Sequence, residues 1–297
     1  MAAPLARGFS LVEMVISIAL IGALAVMATP LLRLPVSAWQ HASQRTELVQ
    51  TAAAVESLFT QDLNGALPGS VRLRSVGART LVEMLQVRAQ GRYRSGTGGV
   101  GRCPVVCGSA PLRDALIIAP GCNDGCFVGL GALEFSPADP PLPNDWVVVP
   151  GNPPADPYAG GNVAVPGGAK TRLTNVATFA EGPRVQHAPH RFGTPSAAAR
   201  YYIVAGTVSW DFDAAAGTVR RAAGYPVAVL QPIAFGGAAS NVIVADGLRA
   251  AVLRVQAGPY AGSGSLLLRA QFERTAPGGL EAERFELASQ HELPEVR

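Results

Sequence analysis

One carboxylate stands alone in an apolar run. Between Phe9 and Leu32 the only charged residue is Glu13, five positions after Gly8. A carboxylate in a membrane-spanning segment costs roughly 2.5–3.5 kcal/mol on insertion scales, so it calls for a positive partner. A free α-amine would serve. Cleavage after Gly8 would create one at Phe9, at the same membrane depth in a neighbouring subunit. It would also leave the apolar segment at the mature N-terminus. An ordinary secretory signal is arranged the other way round, with its small-residue cleavage site after the apolar core.

The remaining candidates for chemistry lie downstream. Cys103 and Cys107 form one close pair, Cys122 and Cys126 another. Four cysteines allow three connectivities. A nested arrangement, Cys103–Cys126 with Cys107–Cys122, would pinch Gly108–Gly121 into a hairpin; local pairing within each couple is the other reading. A Cys₄ zinc site also fits the ligand count and spacing, but an oxidising compartment makes disulfides the default. Closing a loop of about 15 residues is worth roughly 3 kcal/mol in the chain-entropy model. His187 and His190 could hold a metal, although two histidines in a Pro-rich loop are more often solvated. Asp211 and Asp213, two apart on an expected strand, face one side. They could bind Ca²⁺, against the plainer reading of a solvated strand face. The Gly-rich stretches at Gly96–Gly101 and Gly236–Gly237 lack the context of a phosphate loop. No Ser-His-Asp or Cys-His arrangement can be argued from spacing. The expectation is therefore no catalytic residue, no cofactor and no metal.

The elements that position these residues follow from hydropathy. The apolar run extends about 36 Å as a helix, against a hydrocarbon core of about 30 Å. Arg7 precedes it with no acid in Met1–Gly8, which predicts a cytoplasmic leader and a periplasmic remainder. Pro30 and Pro35 mark a place for a bend or local unwinding. Helical spacing resumes with Leu48, Ala52, Val55, Phe59 and Leu63, an amphipathic stripe, and Asn64-Gly65 stops it. Beyond lie short strands: Ser70–Val76, Thr80–Arg88, Ala115–Ile118, Ala132–Phe135, Trp146–Val149, Tyr201–Asp213, Thr218–Ala222, Tyr225–Leu230, Val242–Gln256, Ser265–Glu273 and Glu283–Ala288. Ala214–Gly217 reads as a hairpin turn. The chain has 297 residues, 33 Gly, 24 Pro and 15% charged residues, with 24 basic groups against 21 acidic ones. Losing Arg7 with a leader leaves a net charge of +2, which gives no reason to expect nucleic acid.

The N-terminal pattern of a short basic leader, Gly8, Phe9, Glu13 and an apolar helix resembles the type IV prepilins. The resemblance implies a peptidase that cuts between Gly8 and Phe9 and N-methylates Phe9. It also implies that Glu13 helps set subunit register in a filament, and it matches Pro30 to a proline where pilin helices bend. Softer similarity extends over Gln61-Asp62-Leu63, Ala66–Arg72, Gly91–Arg94, Asp156–Asn162 and the Trp210–Tyr225 hairpin, and points to the minor pilins. The cysteine region has no counterpart in those segments.

The expected fold is α+β and type IV pilin-like: a long N-terminal helix packed on a globular head rich in antiparallel β-sheet. Residues 1–8 are the leader, 9–64 the helix, transmembrane over 9–32, and 65–297 the head. The implied function is a minor pilin that helps initiate or cap a pilus. Its partners would be the prepilin peptidase, other minor and major pilins, the inner-membrane assembly platform and membrane lipid. The protein would pass once through the bacterial inner membrane, head in the periplasm, and then move to a cell-surface pilus. A J-like minor pseudopilin of type II secretion is the alternative within assembly systems. A surface-binding tip module for glycan or DNA is the alternative from another class.

Overall fold

The computed structural model describes residues 10–96, 115–118, 123–151, 156–159, 168–179, 182–196, 198–257, 264–274 and 282–294. The leader, Gly8 and Phe9 lie outside them, as do Cys103, Cys107 and Cys122. The chain divides into two compact units, one of Met1–Gln50 with Glu273–Phe285, the other of Thr51–Phe272 with Glu286–Arg297.

Helix α1 runs from Leu11 to Asn64. It continues through Pro30 and Pro35 with helical backbone at every position, so the expected unwinding does not occur. Each proline removes one backbone donor, yet neither ends the helix. In the first unit Leu11–Ala28 is long and apolar enough to cross a membrane, and none of it is buried. Further along, His41 pairs with Glu283 at 3.4 Å and Glu47 pairs with Arg274.

In the second unit the helical stripe is core. Val55 and Phe59 are fully buried, Ala52 and Leu63 nearly so. They pack on an antiparallel sheet whose two longest strands are β2 (Arg79–Tyr93) and β9 (Arg200–Asp213), paired along their whole length. The first half of β2 and the second half of β9 form an open sheet with β1 (Arg72–Val76), β10 (Thr218–Ala223) and β11 (Ser240–Asp246), in the order β1-β2-β9-β10-β11. One face meets the helix, where Phe59 packs edge-on against Trp210 and Phe212 with ring centroids 5.4 and 6.2 Å apart.

The other halves of β2 and β9 close a barrel. β2 pairs with β5 (Asp124–Phe135), β5 with β8 (Gly182–His190), β8 with β7 (Lys170–Phe179), β7 with β6 (Trp146–Val148), and β6 with β9, which returns to β2. The β2–β9 register shifts near Val87, where open sheet becomes barrel; bulges are the usual means of such a bend. The six strands enclose Tyr93, Phe127, Val147, Val149, Leu173, Val185, Phe192, Tyr201 and Ile203, a filled interior of the kind small barrels require. A short parallel pair, β3 (Ser95–Gly96) with β4 (Leu116–Ile117), adjoins it. A separate three-stranded sheet comprises β12 (Leu248–Ala257), β13 (Gly264–Arg274) and β14 (Glu283–Glu292).

Two strand expectations are corrected. Val242–Gln256 is two strands in different sheets, parted at Gly247, whose φ of 77° turns the chain. Tyr225–Leu230 is not a strand. Pro226 and Pro232 remove the donors a ladder needs, and the segment crosses the sheet as a strap. Three arginines hold its main-chain carbonyls: Arg72 donates to Ala228 and Val229, Arg74 to Gln231, and Arg79 to Ile233.

Candidate functional site

The helix N-terminus carries the first candidate. Ser10 caps it: the Ser10 Oγ accepts the backbone N–H of Glu13 at 3.2 Å, and the Ser10 carbonyl accepts from Met14. Ser10-Leu-Val-Glu13 is thus a capping-box sequence, a signal the hydropathy reading passes over. The Glu13 side chain is exposed in the first turn, where a carboxylate complements the positive end of the helix dipole. Gly8 and Phe9, the expected cleavage pair, fall outside the described residues.

At its other end the helix is fastened by a buried acid. Asp62 accepts from the Trp210 indole N–H at 2.8 Å and from Arg221 through Nε at 2.6 Å and a terminal nitrogen at 2.7 Å. Its burial, 7% exposed, makes this a bidentate pair shielded from water. The sequence signal was present, one acid beside the apolar stripe between Phe59 and Leu63.

Cys126 lies on β5, is buried and is disulfide-bonded. Its connectivity involves cysteines outside the described residues. Beside it Asp124, fully buried, accepts from the Ile117 N–H at 2.8 Å and the Cys126 N–H at 3.0 Å. The acid within Cys122-Asn-Asp-Gly-Cys126 therefore ties β4 to β5 at the cysteine.

The histidines and aspartates take structural places. His187 and His190 lie on strand β8, not in a loop, and both are buried. The His187 ring meets Phe127 at 5.8 Å and Phe192 at 5.6 Å; His190 meets Phe192 at 4.9 Å and hydrogen-bonds the Gly168 carbonyl. Burial pushes the His187 imidazole down to about 4 and lowers His190 as well. Asp211 and Asp213 do share a side, but Arg79 occupies it, 2.6 Å from Asp211 and 3.5 Å from Asp213. Among the described residues, no group of three or more His, Cys, Asp or Glu is placed to hold a metal ion.

Lys170 is the least expected of the buried ions. Its ammonium donates to the Tyr158 carbonyl and lies 5.3 Å from the Trp146 ring centre. Desolvation lowers it to about 8. The Tyr158 hydroxyl donates to the Ser70 carbonyl at 2.8 Å, and Arg72 stacks 3.5 Å from that ring's centre. Together these contacts anchor Asp156–Ala159, a fragment of a Gly/Pro-rich loop, onto the sheet.

No family model, no curated protein and no solved structure matches this chain.

Proposed function

We propose that the chain is a minor type IV pilin, a structural subunit that helps initiate or cap a pilus. One observation carries the reading. A single helix begins in a capped turn bearing Glu13, continues through a membrane-length apolar stretch with no residue buried, and packs its last turns on an antiparallel sheet. The exposed stretch suits lipid first and neighbouring helices later. The prepilin peptidase would cut between Gly8 and Phe9 in the inner membrane and methylate Phe9. The assembly platform and the other pilins would then take up the subunit, Glu13 meeting the amine of a neighbour's Phe9. Oriented with its head in the periplasm, the protein would form its disulfides there and leave for the cell-surface filament.

The test is the mature N-terminus. Mass spectrometry of the protein from sheared pili should find methylated Phe9 as its first residue. Gly8→Val should remain uncleaved and absent from filaments. An intact N-terminus at Met1 in sheared pili would end the proposal.

A further inference from the structure

Where open sheet gives way to barrel, the outer face holds a cleft of about 440 Å³ against the end of the helix. Its floor is a polar row across three strands. Gln90 of β2 stands opposite Glu134 of β5 on one side and Tyr202 of β9 on the other. The Gln90 amide donates to Glu134 Oε2 at 2.7 Å, which fixes both side chains and leaves the Gln90 oxygen and the second Glu134 oxygen as acceptors. Arg200, two residues before Tyr202 on the same strand, lines the same cleft, and its Nε is buried without a hydrogen-bond partner. Phe135, 45% exposed, and Asn64 at the helix end complete the lining.

We infer that this cleft binds a neutral saccharide. The charges decide the class. Arg88 also reaches the cleft, but Asp139 at 2.9 Å and Asp145 at 2.7 Å engage it. That leaves Arg200 and Glu134, whose charges cancel. An anionic ligand would meet Glu134, and a cationic one would meet Arg200. Each hydroxyl of a sugar donates one hydrogen and accepts others, so neighbouring hydroxyls can satisfy a guanidinium and a carboxylate in the same row. The planar ends of Arg200, Gln90 and Glu134 suit such paired groups. The volume falls within the range of about 300–1,000 Å³ found for small-ligand sites. The assignment follows the surface-binding alternative and does not depend on filament assembly.

The experiment uses the full chain in lipid nanodiscs, with empty nanodiscs as the blank. An array of neutral and acidic oligosaccharides is probed first, and the best neutral oligosaccharide is then titrated. Retention of neutral oligosaccharides is expected. Arg200→Lys, which keeps the charge and loses the planar fork, should weaken binding by about tenfold or more. Glu134→Gln, at an exposed position, should weaken it comparably while leaving the urea midpoint unchanged. The inference is overturned if no neutral oligosaccharide is retained, if only sialylated or uronate-bearing ones are, or if both variants bind as the wild type does.

Discussion

Tyr201 fills the space that a side chain at position 91 would need. The two residues are partners across the β2–β9 ladder, and a β-carbon built on Gly91 would fall 2.6 Å from the Tyr201 hydroxyl oxygen and 2.7–2.8 Å from its ring carbons. Gly129 of β5 leaves room for the same hydroxyl, at 3.0 Å. Two glycines thus admit one aromatic ring into the barrel. Gly91→Ala should destabilise a head lacking residues 1–33 by about 1–3 kcal/mol, the usual cost of overpacking. Tyr201→Leu should lose that penalty when combined with it. Urea unfolding of both single variants and the double variant measures the coupling; additive effects would show that the ring is not what excludes a side chain.

The Tyr201 hydroxyl is buried with no hydrogen-bond partner. A buried polar group without a partner costs free energy. Tyr201→Phe is therefore expected to leave stability unchanged or raise it, read from the same urea midpoint. A clear loss would mean that the hydroxyl has a partner after all.

Asp62→Ala should be far more costly. It strands the Trp210 N–H and leaves Arg221, itself half-buried, without its carboxylate. The expected loss is about 3 kcal/mol. Asp62→Asn keeps an acceptor for the indole and should fall between. If the alanine variant unfolds at the wild-type urea concentration, the helix is held by its apolar stripe alone.

Acid should weaken the barrel through His187. Its folded pKa is lowered from 6.5 to about 4, so between those values the unfolded chain takes up a proton that the native chain refuses. The stability involved is fully present above pH 6.5 and is lost as pH falls towards 4, by about 3 kcal/mol at the lower limit. His187→Phe retains a ring beside Phe127 and Phe192 and does not titrate. Its urea-derived stability should fall less than the wild type's over that window; parallel curves would remove His187 as the cause.

Glu13 has two possible tasks, and one substitution separates them. Glutamine can take the acidic residue's place in a capping box but carries no charge for a neighbour's amine. Glu13→Gln and Glu13→Val should both be inserted and cleaved, and both should be missing from sheared filaments; Glu13→Asp should be intermediate. Immunoblots of membrane and filament fractions decide it. Wild-type incorporation of the glutamine variant would make Glu13 a helix cap and not an assembly contact.

The helix was legible because its signal is local: a 3.6-residue stripe from Leu48 to Leu63 closed by Asn64-Gly65. The antiparallel character of the head was also legible, from hairpins such as β9–β10. The barrel was not. Strand β8 carries Pro183 and Pro189 and reads as loop, yet it lies between β5 and β7. Pro183 falls near its start, and Pro189 falls where the pairing with β5 shifts register, places where a missing donor is tolerated. Closure also depends on β2 and β9 changing neighbours halfway along, which no window of sequence contains. Of the cleft, Gln90, Glu134 and Arg200 are ordinary surface residues in sequence, brought together only by cross-strand register.

Arg72, Arg74 and Arg79 grip carbonyl oxygens of the strap, and every residue supplies a carbonyl. What they recognise is a path of backbone and not a set of side chains. Val229 and Leu230, 59% and 80% exposed, are therefore free to drift in identity so long as Pro226 and Pro232 keep the path, whereas Val227 packs on the core and the buried Gln231 amide donates to the Leu81 carbonyl. The same segment could diversify its outward surface between related chains while the three arginines beneath it stay fixed.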